Sequence, residues 1–296
     1  MSPASQPNTS EPTILRLGLP KGRMQEAVFT LLAEAGIRVR VGGRAYRPVV
    51  DLPGFEAKLL KPQNIVEMVQ AGSRDLGITG ADWVAELDGE IIELLDLGLD
   101  PVEVVAAVPT GMLEQGWPPD QTVVVASEYE RLTRTWIEQS GLEARFVRSY
   151  GATEVFPPED ADCIVDNTAT GSTLQANGLE VIGTLMTSST RLYANAAMLD
   201  DPVRKQSVDR VVLLLRSVLE ARKRVMVEVN VSGADLEAVV EILPCMREPT
   251  ISPLRGESGY AVKVAAPRDL LPELIPLIRT RGGTDIVVTA LSQIVP

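Results

Sequence analysis

The segment from Asp162 to Leu174 concentrates the groups most able to do chemistry. Its apolar start, Cys163-Ile164-Val165, reads as a buried strand ending on the carboxylate of Asp166. Asn167, Thr168, Ala169, Thr170, Gly171, Ser172 and Thr173 then lead into a helix. Backbone N–H groups at such a start can surround a phosphate, and Thr168, Thr170, Ser172 and Thr173 add hydroxyl donors. A plain capped turn has the same composition. No Gly-Lys-Ser/Thr ending follows, so this is not a Walker-type loop. Asp166 stands where a carboxylate could hold either ribose hydroxyls or a metal ion.

Other candidates are more dispersed. Lys21 and Arg23 follow the first apolar run in a glycine-containing loop, where α/β folds place ligands at strand carboxyl ends. They suit an anionic group, or are two surface charges. Glu154 and Asp162 form a possible metal-binding pair of hard carboxylates, or are solvated and capping acids. Asp82 either caps a helix beginning at Trp83 or meets a ligand. Gly77 and Gly80 either punctuate a strand or allow close backbone approach to a bound group. Cys163 and Cys245 have neither metal-ligand spacing nor a base partner, and the chain contains no histidine, which excludes zinc–histidine sites and histidine triads.

The elements that must position these residues follow from periodicity. Leu15 to Leu19 reads as a strand, and Met24, Val28, Leu31 and Leu32 as a helix reaching towards Gly36. Ile65, Met68 and Val69 suit a second helix, followed by a buried strand over Asp75 to Gly80. Val102 to Val108, Thr122 to Ala126 and Arg145 to Val147 read as strands, with a helix over Arg131 to Gln139. This alternation implies an open, largely parallel α/β sheet in two lobes. Val208 to Leu219 is helical. Beyond it Val225, Val227, Val229 and Val231 alternate with polar positions as a half-buried strand. A helix over Asp235 to Leu243, strands at Thr250 to Leu254 and Tyr260 to Ala265, a helix over Asp269 to Arg279 and a strand from Asp285 to Leu291 complete a ferredoxin-like β-α-β-β-α-β order. Pro276 lies inside the last helix, at a cost of about 3 kcal/mol unless the helix kinks.

With 296 residues, 45% of them hydrophobic, the chain is long enough for about two domains. Its net charge of −12 opposes nonspecific attraction to nucleic acid or an anionic membrane, so an anionic substrate needs a local basic pocket. Residues 1–11 read as a disordered lead without a secretory pattern, and no apolar run reaches the ~20 residues of a membrane span, which makes the cytoplasm the default compartment.

The stretch from Asp162, extended through Gly178-Leu179, resembles the phosphoribosyl-binding signature of ATP phosphoribosyltransferases. Leu17 to Arg23, Asp75 to Asp82, Gly151 to Val155 and Ser188 to Leu192 are similar to further motifs of that family, in the same order. Glu248 to Leu254 resembles an element of the regulatory domain of its long form. The resemblance implies a two-lobed catalytic part of the type II periplasmic-binding-protein kind, with lobes at residues 12–105 plus 190–220 and at 106–189. It implies a regulatory, ACT-like domain over 222–296. It further implies transfer of phosphoribosyl from phosphoribosyl pyrophosphate to N1 of the adenine of ATP, with Mg²⁺, inhibition by histidine, and a homo-oligomer of dimers or hexamers. Carried onto this chain, Lys21 and Arg23 are the catalytic cations, residues 166–173 hold the phosphoribosyl group, and Lys61, Gly80 and Asp82 contact the nucleotide. Asn230, Met246, Pro249 and Thr250 line the histidine site.

The chain departs from the family pattern in places. Lys61 and Asn64 stand where many members have Arg and Asp, and a guanidinium there becomes a point charge. Tyr129-Glu130-Arg131-Leu132-Thr133 replaces a Tyr-Pro-Asn-Leu-Thr element, and Asn230 and Met246 replace Asp and Leu. The competing expectations are a binding protein of the same two-lobed fold and a regulatory paralogue without catalysis.

Overall fold

The computed structural model describes residues 14–42 and 46–295; the expected lead over residues 1–11 lies outside them. The chain forms two compact units. One holds the described residues through Thr30 with Ile37–Val208, and the other holds Leu31–Gly36 with Asp209 onward. The second therefore takes up part of a long helix that sequence periodicity groups with the preceding lobe.

In the first unit, β1 (Leu15–Pro20) and the start of α1 (Met24–Glu34) are followed by a short antiparallel pair, β2 (Val39–Arg40) and β3 (Val49–Val50). Next come β4 (Phe55–Leu60), α2 (Pro62–Gln70), β5 (Leu76–Gly80) and α3 (Ala81–Glu86). Strand β6 (Ile92–Pro109) leads to α4 (Met112–Gly116), β7 (Val123–Ser127), α5 (Glu130–Ser140), β8 (Ala144–Arg148), β9 (Cys163–Thr168) and α6 (Ser172–Ala176). The return is made by β10 (Leu179–Ala194), then α7 (Ala196–Leu199) and the start of α8 (Pro202–Arg222).

The strand order β4-β1-β5-β10-β6-β9-β7-β8 explains the two lobes. Three parallel strands, β4, β1 and β5, build one lobe, and three more, β9, β7 and β8, build the other. The antiparallel ribbon of β6 and β10 runs through both. Ala194 to Thr190 of β10 pair with β5 in the first lobe, while Glu103 to Ala107 of β6 pair with β9 in the second. Apolar residues of the parallel strands are buried, as their packing between helices requires: Leu15, Leu17, Leu19, Leu76 and Ile78 in the first lobe, Val123, Val125, Cys163, Ile164 and Val165 in the second.

β6 begins ten residues before the expected Val102. Asp96, Gly98, Asp100 and Pro101 interrupt its apolar pattern. The structure absorbs them where the ribbon passes between lobes: Gly98 and Asp100 have positive φ, +61° and +45°, and the register with β10 shifts between Ser188 and Thr190. Gly77 serves packing. A Cβ there would lie 2.4 Å from Ile65 Cγ2 and 2.8 Å from Val69 Cγ2, so its hydrogen lets α2 seat against β5.

In the second unit, β11 (Arg224–Val231), α9 (Leu236–Val240), β12 (Thr250–Pro253), β13 (Tyr260–Pro267), α10 (Leu271–Thr280) and β14 (Thr284–Ala290) form a sheet ordered β12-β13-β11-β14. This is the ferredoxin-like arrangement. Val225, Val227, Val229 and Val231 are buried with Val239 of α9 and Leu274 and Ile278 of α10. Met226, Glu228 and Asn230 alternate with them as half-buried positions. α10 continues through Pro276, whose carbonyl accepts the Thr280 hydroxyl at 2.9 Å.

Candidate active site

The carboxyl ends of β1, β5 and β9 converge on two cavities that share Arg23 and Asn167. The first, about 140 Å³, is lined among others by Lys21, Arg23, Gly80, Asp82, Trp83 and Asn167. The second, about 370 Å³, is lined by Arg23, Glu128, residues 151–154 and most of the loop from Asp166 to Leu174. Arg23 comes from the first lobe and Asn167 from the second, and they meet at 3.4 Å between Nη2 and Oδ1.

Each wall has a local cause. Gly22 turns the chain after β1 at φ +85°, which only glycine adopts without strain. Lys21 and Arg23 thus flank a tight loop, with Lys21 Nζ 5.2 Å from the centre of the Tyr46 ring. On the opposite side, Gly171 enters α6 at φ +74°. Its N–H donates to Thr168 Oγ1 at 2.9 Å, and the Thr170 and Ser172 hydroxyls lie 3.0 Å apart. The Asn167 N–H donates to Asp166 Oδ1 at 2.7 Å.

Asp166 is electrostatically loaded. Burial, and then the nearby carboxylates of Glu154 and Glu128, push its pKa up to about 6 against the Asn167 N–H bond. Asp162 is elsewhere: its Oδ2 accepts the Val124 N–H at 2.8 Å and it does not line this cavity. A strand rises about 3.3 Å per residue, which puts Asp162 roughly 13 Å from Asp166. Of the expected metal pair, Glu154 lines this cavity, with Glu128 and Asp166, and Asp162 does not.

Of the two readings of Asp82, the structure removes capping and keeps its side chain at the first cavity. α3 begins at Ala81 with Gly80 as its cap residue, so Asp82 is inside the helix and caps nothing. Its Oδ1 accepts the Ser188 hydroxyl at 2.8 Å and its Oδ2 the Tyr129 hydroxyl at 2.7 Å. Gly80 makes room for that carboxylate, since a Cβ would lie 2.1 Å from Asp82 Oδ1. Lys61 precedes α2 with an exposed side chain and lines neither cavity, whereas its neighbour Pro62 lines the first.

Sequence patterns did not single out three further contributors. Trp83 stacks on Tyr129 with ring centres 4.6 Å apart. Glu86, one turn after Asp82, accepts the backbone N–H groups of Arg131 at 3.1 Å and Leu132 at 3.0 Å, so α3 of one lobe caps α5 of the other. Burial outweighs these bonds and raises the Glu86 pKa. The (i, i+4) spacing of Asp82 and Glu86 is the available signal, but their partners at the start of α5 lie 45 to 47 residues away.

In the second unit, Asn230 and Thr250 line one cavity with Ser252, Lys263 and Asp285, and Asn230 Nδ2 donates to Asp285 Oδ2 at 3.1 Å. Met246 and Thr250 line another with Met226 and Lys263. Thr250 belongs to both; Pro249 lines neither.

Comparison with known proteins gives this geometry a context. The ATP phosphoribosyltransferase family model matches residues 61–217, more than half the chain, and the HisG C-terminal domain model matches residues 221–293. The chain belongs to the ATP phosphoribosyltransferase family. The ATP phosphoribosyltransferase of Pelotomaculum thermopropionicum is 37% identical over 287 residues, covering 95% of this chain and 99% of that relative. The one from Chlorobium chlorochromatii is 34% identical, covering 97% and 99%. The solved ATP phosphoribosyl transferase (HisG:HisZ) complex from Thermotoga maritima superposes with a TM-score of 0.62 at 24% identity, over 70% of this chain and 99% of that one. That likeness supports the fold, and the C-terminal family match identifies the long form of the ATP phosphoribosyltransferases, in which feedback by histidine is typical. Among the described residues no helix is long and apolar enough to cross a membrane.

Proposed function

We propose that this chain transfers the phosphoribosyl group of phosphoribosyl pyrophosphate to N1 of the adenine of ATP, the first step of histidine biosynthesis. The observation that carries the site assignment is the meeting of the Lys21-Gly22-Arg23 loop with the Asp166 to Thr173 loop at Arg23 and Asn167. In the reaction the adenine N1 lone pair forms a bond to the anomeric carbon with inversion. The bond from that carbon to the pyrophosphate oxygen breaks, and its electrons leave with pyrophosphate. A ring nitrogen needs no strong base to attack. The demand falls on orientation and on charge growing at the leaving group.

Lys21 and Arg23 supply fixed positive charge towards that leaving group. Asp166 accepts from ribose hydroxyls, and the hydroxyls and N–H groups of residues 167–173 hold the 5-phosphate. Gly80 and Asp82 border the nucleotide side, with Lys61 at its rim. Mg²⁺ is the expected cofactor. Among the described residues no three carboxylates are grouped as a metal cage, whereas Glu154 and Glu128 offer hard oxygen atoms beside the substrate cavity. This donor set fits an ion held partly by substrate phosphates. When bound, Mg²⁺ would neutralise pyrophosphate charge.

Residues 12–105 with 190–220 and residues 106–189 act as the two catalytic lobes, and 222–296 as the regulatory domain. Histidine is the inhibitor, bound near Asn230, Met246, Pro249 and Thr250. The working form is a cytoplasmic homo-oligomer, a dimer or hexamer, of an enzyme that needs neither nucleic acid nor membrane. The test is pyrophosphate release from purified protein. Release should require ATP, phosphoribosyl pyrophosphate and Mg²⁺ together, and fall on addition of histidine. No release from folded protein would reject the reading. Histidine sensitivity surviving deletion of residues 222–296 would reject the regulatory site.

A further inference from the structure

Tyr129 stands at the start of α5 in the second lobe and is fully buried, 0% exposed. Its hydroxyl has two partners, and their chemistry leaves one arrangement. The Asp82 carboxylate at 2.7 Å can only accept, so the phenolic proton points to it. The Asn167 side-chain nitrogen at 2.9 Å can only donate, so it donates to the phenolic oxygen. Asn167 Oδ1 is thereby turned towards Arg23, whose guanidinium can only donate. Each bond in the run from Asp82 through Tyr129 and Asn167 to Arg23 has its direction forced by its neighbour.

The run crosses between lobes twice. Asp82 and Arg23 belong to the first lobe, Tyr129 and Asn167 to the second. At its far end Asp82 also receives Ser188 of the ribbon strand β10. We infer that Tyr129 is a positioning residue: its hydroxyl sets the side-chain orientation of Asn167 and, through it, ties the seating of the phosphoribosyl loop to the docking of α3 on α5. This rests on the reading of residues 166–173 as the phosphoribosyl site. The ring itself is held separately by stacking on Trp83, so the hydroxyl can be removed without removing the ring.

The full chain with Tyr129→Phe isolates that oxygen. Binding of phosphoribosyl pyrophosphate with Mg²⁺, measured by calorimetry, should weaken about tenfold, and kcat/KM for this substrate should fall by the same factor, about 1.4 kcal/mol. KM for ATP should change by less than the affinity for phosphoribosyl pyrophosphate does, a split that a general loss of stability would not produce. In an Asn167→Ala background, Tyr129→Phe should cost nothing further, because the group it orients is gone. Unchanged binding of phosphoribosyl pyrophosphate in Tyr129→Phe, or full additivity with Asn167→Ala, overturns the inference. Should the buried Asp82 carboxylate, left with Ser188 as its one side-chain donor, unfold the single variant, Asp82→Asn with Tyr129→Phe removes that charge and carries the same binding measurement. A parent chain that binds phosphoribosyl pyrophosphate but releases no pyrophosphate would reject the proposed reaction, and the binding comparison would still decide the role of Tyr129.

Discussion

Replacing Asp166 with Asn should make the folded protein more stable while removing its activity. The Asp166 carboxyl titrates at about 6 in the fold against an ordinary 3.8, because it is buried beside Glu154 and Glu128. A folded-state value above the unfolded one means that ionisation opposes folding. The penalty is absent below about pH 4, grows through the interval to about pH 6 and is constant above it. Its full size is roughly 3 kcal/mol at about 1.4 kcal/mol per pKa unit, and about half of it is present at pH 5. Asp166→Asn removes the charge and keeps an oxygen for the Asn167 N–H, so its advantage over the parent should be largest at pH 8 and shrink by about 1.4 kcal/mol on going to pH 5. Tryptophan fluorescence in urea is the assay, since Trp83, Trp117 and Trp136 all lie in the two-lobed unit and report its unfolding alone. Pyrophosphate release measured in parallel should be abolished. A variant no more stable than the parent, or an advantage independent of pH between 5 and 8, would refute the account of Asp166 as a carboxylate held ionised for function.

Three further substitutions test the scaffold and the cationic loop. Gly77→Ala should destabilise the two-lobed unit by about 1–3 kcal/mol in the same fluorescence assay, because its Cβ meets Ile65 and Val69 of α2 at 2.4 and 2.8 Å. Asp75→Asn should cost about 3 kcal/mol: the buried carboxylate accepts Arg16 Nε at 3.0 Å and Arg204 Nη1 at 3.1 Å. Burial raises the Asp75 pKa, but the Arg16 bonds and the charges of Arg16 and Arg204 lower it further. Its contribution is thus present above the unfolded value and lost as pH falls through the folded one, so parent and variant should converge in acid. Arg23→Ala should lower kcat about 10²-fold in pyrophosphate release with little change in the unfolding curve; unchanged kcat would remove Arg23 from the leaving-group side.

What sequence pattern could and could not reveal follows from the range of the interactions involved. Strands such as Leu15–Pro20 and Arg224–Val231 were legible because their burial is written in local periodicity. The loop proposed to hold phosphoribosyl can be read locally because its hydroxyl and N–H groups are contiguous from Asp166 to Thr173. The first half of β6 was not legible, since Asp96, Gly98 and Asp100 look like a loop until β10, some 90 residues later, pairs with Asp96 and Leu99 and leaves Gly98 and Asp100 in the register shifts. The places of Asp162 and Asp166 were not legible either, since folding spends Asp162 on Val124 and leaves Asp166 beside Glu154. The roles of Tyr129 and Glu86 depend on partners 38 to 47 residues away, and no spacing rule encodes them.

Charge explains why these long-range contacts sit where they do. A chain of net charge −12 must gather two anionic substrates, yet the loop cavity presents Glu128, Glu154 and Asp166 against the single guanidinium of Arg23. Three carboxylates beside a pyrophosphate repel it unless cations intervene. Lys21 and Arg23 reach the site from the opposite lobe, so the basic side of the pocket is complete only when the lobes meet. Asp82 and Glu86 of α3 direct their carboxylates at the Tyr129 hydroxyl and at the N–H groups opening α5. The interlobe contacts thus do two jobs with one geometry: they give the Asp82 and Glu86 carboxylates hydrogen-bond donors in place of water, and they bring Arg23 to Asn167. Substrate charge that Lys21 and Arg23 leave uncompensated is what the Mg²⁺ proposed above would neutralise.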